Sequence, residues 1–197
     1  MTAGRNNAES LSQHWCTPPK YVSAIREFFG GTIALDPCSN LHSIVGATIE
    51  YSLPELDGLL ESWDYPSVFV NPPYGRDRLR GTTIYHWLNR CAEAHSVHGA
   101  EVLALVPVAT NTKHWKDCVF GVATAITFLY DTRLKFLVDG KTGGKGAPMA
   151  CAMIYWGSQY EFFEQVFAVF GAVCDLRHLI GKPIGKGSQL ALWRDSL

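Results

Sequence analysis

The sequence predicts an α/β fold built on one mixed sheet, compact and ending in an antiparallel edge hairpin, on three observations. Short apolar runs recur at residues 32–35, 68–70, 101–106, 125–129 and 149–156, each too short for a helix and most of them closed by proline, glycine or a polar turn. Between several of them lie stretches whose apolar residues recur at helical spacing. A loop at 139–148 with four glycines and two lysines joins two strand-like segments, the signature of a long hairpin. With 197 residues, 47% hydrophobic and 18% charged, the chain suits a single core. Residues 1–12, polar and aperiodic, are expected to be disordered, leaving 13–197 as one domain.

Thr17 fits a helix N-cap with Pro18 at the first helical position. The helix that follows buries Tyr21, Val22, Ile25, Phe28 and Phe29 and stops at Gly30 and Gly31. Residues 32–35 form the first buried strand, leaving through Asp36, Pro37, Cys38 and Ser39. A carboxylate at a strand end followed by small residues suits a ligand ammonium, or equally an N-cap, and there is no Gly-x-Gly. Only about 34 residues separate Asp36 from Asn71, too few for two full crossovers, so at least one helix is missing. A second strand is expected at 47–51 with Glu50 at its end, then a turn at Asp57-Gly58 and Trp63. Asp57 reads either as an acceptor for a ligand amino group or as a plain turn residue.

The strand at 68–70 runs into Asn71-Pro72-Pro73-Tyr74-Gly75. Proline holds the residue before it extended, so this exit loop is rigid and lies where α/β sheets bind ligands. Arg76, Asp77, Arg78 and Arg80 follow as a charged loop, then an amphipathic helix carrying Ile84, Trp87, Leu88, Cys91 and Ala92 and ending before Gly99. His95 and His98 read as helix-end histidines and not as metal ligands, since no further donor completes a set; no metal is expected. Thr110-Asn111-Thr112 caps a short helix carrying Trp115, Cys118 and Val119, and Ser158 with Glu161 reads as a capping box for a helix rich in phenylalanine.

A net charge of −1 excludes an overall basic glove but leaves room for a local patch. Arg76 in the charged loop and Lys141 and Lys145 in the glycine-rich loop are its candidates. Six dispersed cysteines argue against a zinc knuckle or a redox pair and for a reducing compartment. No signal core and no stretch of roughly 18 apolar residues appears, so the expectation is a soluble protein without a membrane partner.

Taken in order, Trp15-x-Thr17-Pro18, Leu35-Asp36-Pro37-Cys38-Ser39, Asp57-Gly58-Leu59 with Trp63, Asn71-Pro72-Pro73-Tyr74-Gly75, Arg133-Leu134-Lys135-Phe136 and Ala147-Pro148 resemble the phage-type DNA N-6-adenine methyltransferase (phage Dam) family, over roughly residues 14–157. The resemblance implies a Rossmann-like fold binding S-adenosylmethionine. The implied reaction is methyl transfer to the N6 amino group of adenine in double-stranded DNA, with the base flipped out, in the cytoplasm of a bacterial host. It implies that Asn71, Pro72, Pro73 and Tyr74 are catalytic. Asn71 and the Pro72 carbonyl would hold the amino group, and Tyr74 would stack on the base. Trp15, Thr17, Pro18, Asp36, Pro37, Cys38, Ser39 and Asp57 would bind the cofactor, and Arg133 and Lys135 join the candidates for meeting the nucleic acid only through this resemblance. The same tetrapeptide also serves RNA or glutamine N-methylation, and a catalytically inactive binding module remains a further reading.

Overall fold

The computed structural model describes residues 15–131, 133–138, 141 and 149–182. Seven strands form one sheet in the order β3-β2-β4-β5-β8-β6-β9, where β2 is Leu35–Asp36, β3 Ile49–Glu50, β4 Ser67–Val70, β5 Glu101–Pro107, β6 Ala125–Leu129, β8 Cys151–Trp156 and β9 Gly171–Asp175. β3, β2, β4 and β5 run parallel, β8 lies antiparallel between β5 and β6, and β9 pairs antiparallel with β6. Two further short strands, β1 (Trp15–Cys16) and β7 (Leu137–Val138), pair with each other outside this sheet.

Both faces of the sheet are covered, and period-two alternation decides which side chain goes where. Val68, Val70, Val102, Ala104, Val106, Ile154 and Trp156 pack with helix α2 (Ile84–His98) and α3 (Lys113–Cys118). Phe69, Leu103, Leu105, Met153 and Tyr155 face the other way, toward α1 (Pro19–Phe28) and α4 (Tyr160–Phe167). Phe28 is the hub of that second layer, with its ring within 6.1 Å of Phe29, Tyr155, Phe162, Phe163 and Phe167. Truncating it to alanine should cost about 3–5 kcal/mol.

Three expectations need correcting. α1 begins at Pro19, so Pro18 occupies the cap position and Thr17 caps nothing. The segment before the Gly/Lys loop does not pair with β8: β7 leaves to pair with β1, while β8 is built into the interior between β5 and β6 and the edge belongs to β9. β8 is buried at all six residues, which an edge position could not provide. The crossovers agree with the expectation that at least one helix is missing: neither the one from β2 to β3 nor the one from β3 to β4 contains a helix. Finally, Ser158 and Glu161 do not form a capping box. The Ser158 hydroxyl donates to Glu101 Oε1 at 2.7 Å, and Glu161 pairs with Arg177 at 2.9 Å. The expectation for residues 1–12 lies outside the described residues.

Candidate functional site

β4 is buried at Val68, Phe69 and Val70 and stops at Asn71 because Pro72 and Pro73 have no amide hydrogen to continue the ladder. Asn71 thus emerges at the carboxyl edge of the parallel strands. Its Nδ2 donates to the Trp15 carbonyl at 3.2 Å, and its Oδ1 accepts from the Tyr74 hydroxyl at 3.3 Å. A carbonyl can only accept, so the Trp15 bond fixes which way the amide faces. Oδ1 has two lone pairs and Tyr74 uses one, leaving an acceptor on Asn71. No hydrogen bond among the described residues is made to the Pro72 carbonyl.

Trp15 is held in place by the pairing of β1 with β7. Its ring stacks on Phe136 at 5.0 Å and 8° and meets Tyr74 edge-on at 5.9 Å and 83°. Tyr74 also lies edge-on to Phe136, with its hydroxyl 3.1 Å from the Leu105 carbonyl. Burial holds the Tyr74 phenol well above its ordinary pKa, so it stays a neutral donor.

Asp36, at the end of β2, is 3% exposed, and its Oδ1 accepts the Cys38 N–H at 3.1 Å. Burial pushes its carboxyl up to about 7; the Cys38 N–H opposes the shift and the charge of Glu50 adds to it. Thr17 is 1% exposed, and its Oγ1 has no hydrogen-bond partner among the described residues. A buried acid pushed toward neutrality and an orphaned buried hydroxyl are groups that a polar, cationic ligand would satisfy.

A cavity of about 210 Å³ is lined by Pro37 and Cys38, which follow Asp36 in the chain, and by Ser39, Asp57 and Pro73 together with residues of the loop at 75–83. Gly58 shapes its wall. A Cβ there would sit 1.7 Å from the Pro37 carbonyl oxygen, so only glycine lets the two loops touch. Trp63 Nε1 donates to the Gly58 carbonyl at 2.7 Å and locks that contact. Asp57 Oδ1 accepts the Leu59 N–H at 3.0 Å and ion-pairs with Arg80. Burial pushes the Cys38 thiol well up, so it lines the cavity as a neutral group.

The structure therefore brings two sets together. Pro37, Cys38, Ser39, Asp57 and Pro73 line the cavity, while Trp15, Asn71 and Tyr74 form a bonded cluster. Pro18 and Pro72 are buried. Arg76, Arg133, Lys135 and Lys141 are exposed and line neither set. Lys145, Ala147 and Pro148 lie outside the described residues. Phe136 and Arg80 are among the site members that escaped sequence reasoning. Phe136 carried the signal of an aromatic closing a motif, and Arg80 was one arginine of three in a charged loop with nothing to mark it out. Among the described residues there is no group of His, Cys, Asp or Glu able to hold a metal, and no helix long and apolar enough to cross a membrane.

No individual curated protein matches the chain. The family model described as DNA N-6-adenine-methyltransferase (Dam) matches residues 4–174, a span that takes in the Asn71–Tyr74 loop, the cavity and all but the far end of β9. The match covers most of the 197 residues, and on that ground the chain belongs to the DNA N-6-adenine-methyltransferase (Dam) family.

Proposed function

We propose that this chain is a phage-type enzyme that methylates the N6 amino group of adenine in DNA with S-adenosylmethionine as donor, on a fold of the Rossmann-like methyltransferase kind. The observation that carries the reading is the remaining lone pair of Asn71 Oδ1, held at a strand end beside a Pro72 carbonyl that has no hydrogen-bond partner among the described residues. The reversed strand inserted beside the last parallel strand agrees with the fold assignment.

The residues present fit the cofactor. Asp36 offers a carboxylate to an ammonium, Thr17 a buried hydroxyl without a partner among the described residues, and Pro37, Cys38, Ser39 and Asp57 the cavity wall. S-adenosylmethionine supplies an electrophilic methyl carbon. The rest of the chemistry belongs to the protein. The adenine amino nitrogen is a poor nucleophile because its lone pair is delocalised into the ring. Asn71 Oδ1 and the Pro72 carbonyl accept its two N–H groups, draw the nitrogen toward tetrahedral geometry and stabilise the positive charge that develops on it. No strong base is needed before transfer; orientation and preorganised acceptors carry the rate. Tyr74 presents an aromatic wall to the base and keeps Asn71 in register through its hydroxyl.

The test is transfer of labelled methyl from S-adenosylmethionine to unmethylated DNA, RNA and a protein extract in parallel, with nucleoside mass spectrometry. N-6-methyladenine in DNA, lost in Asn71→Ala, is the expected result; label in RNA or protein instead would replace the substrate.

A further inference from the structure

We propose that Leu79 is a wedge that enters the DNA duplex where the target adenine leaves it. The inference rests on the methyltransferase reading above and concerns how the same site gains access to its base.

The loop at 75–83 starts directly from the Asn71–Tyr74 turn and returns through Thr82 and Thr83. Gly75, Asp77, Arg80, Thr82 and Thr83 all line the cavity, so the root of the loop is part of the site. Its tip is Leu79, 97% exposed. A single exposed leucine is ordinary on a protein surface. What sets this one apart is the scaffold beneath it. Asp77 Oδ1 accepts the N–H of Leu79 at 2.9 Å and of Arg80 at 3.0 Å, and the Asp77 N–H donates to the Thr82 carbonyl at 3.0 Å. Gly81 takes φ +68, which closes the turn. Arg80 reaches inward to Asp57, tying the loop to the cavity wall. An apolar side chain is thus held out in water on a braced turn, and no bond holds it there by its own side chain.

Charge supports the same partner. Arg76 and Arg78 are exposed on this loop, and the one acid between them, Asp77, spends Oδ1 on the loop's own amides while its Oδ2 lies 3.8 Å from the Arg80 guanidinium. Two exposed cations leading up to an apolar tip suit a polyanion whose backbone is gripped while its stack is opened. Leu41, Leu53, Leu56 and Leu60 are exposed too, but none of them has a cation beside it in the chain, whereas Leu79 stands between Arg78 and Arg80. A flipped base leaves a gap and an unstacking cost, and leucine is among the side chains that fill such gaps. The wedge acts on the duplex, not on the reacting atoms, so it is a positioning residue.

The experiment compares wild type with Leu79→Ala on two oligonucleotide duplexes carrying the methylated site found by sequencing product DNA. One is fully paired and the other has an abasic position opposite the target adenine. Expected is a fall in kcat/KM of at least about tenfold on the paired duplex, recovering to within about twofold of wild type on the abasic one, where the base is already unpaired. Leu79→Met should retain most activity on both. Equal loss on both duplexes, or no loss on the paired one, overturns the wedge. Wild type that labels no adenine in either duplex overturns the methyltransferase reading itself, and the wedge falls with it. An unchanged melting temperature in Leu79→Ala, expected for so exposed a side chain, removes misfolding as a cause of the paired-duplex loss.

Discussion

Asn71 and Asp36 stand at the ends of neighbouring parallel strands, one a neutral amide and the other a buried acid. Asn71 is a neutral amide whose orientation the Trp15 carbonyl fixes, so Asn71→Ala should abolish methyl transfer while leaving S-adenosylmethionine affinity within a few-fold, as calorimetry would show. Asp36 is an acid kept out of water. Its folded pKa of about 7 lies above the unfolded value of about 3.9, so the folded state binds the proton more tightly. Its contribution to ligand-free stability is favourable at low pH and is lost as pH rises from about 4 through about 7. Asp36→Asn should therefore raise the melting temperature of the ligand-free protein at pH 8, by an amount that shrinks toward pH 5. The same variant should bind S-adenosylmethionine weakly, because a neutral amide does not pair with an ammonium. In the wild type, affinity should rise with pH across the same window, since only the ionised carboxylate attracts the cation. A pH-independent affinity would remove Asp36 from the pocket.

The contacts that shape the cavity belong to loops more than to helices or strands. Gly58→Ala should lower stability by about 1–3 kcal/mol in denaturant melts and weaken cofactor binding, because its added methyl meets backbone that cannot move aside cheaply. The Asn71–Tyr74 turn was legible in the sequence because proline dictates its own backbone geometry locally. The shortened crossovers were legible too, as a simple count of residues between Asp36 and Asn71. The destination of residues 133–138 was not. Two-residue strands such as β1 and β7 carry no periodic signal, and which partner they choose depends on Trp15 meeting Phe136 across more than a hundred residues. The pairing of Arg80 with Asp57 was hidden for the same reason, since both lie in irregular loops where spacing says nothing about contact. Ser158 looked like a cap because its sequence is that of a cap; Glu101, 57 residues away, outcompetes the local partner.

At the scale of the whole molecule, the net charge of −1 means that any grip on DNA comes from a few placed cations. Arg133 and Lys135 are exposed on the segment whose buried residues, Leu134 and Phe136, reach the core and the aromatic cluster. Replacing both with alanine should reduce the slope of log affinity against log salt by up to about two, at roughly 0.9 for each phosphate no longer neutralised. An identical slope would mean that this segment supports the site without touching phosphate. The stacking of Trp15 on Phe136 also has an optical consequence. Trp63, Trp87, Trp115 and Trp156 are buried, which leaves Trp15 as the half-exposed indole among the described residues. Its emission should be quenched by iodide and respond when the site fills, with Trp15→Phe as the blank, so the residue that orients Asn71 doubles as a built-in fluorophore for watching binding in real time.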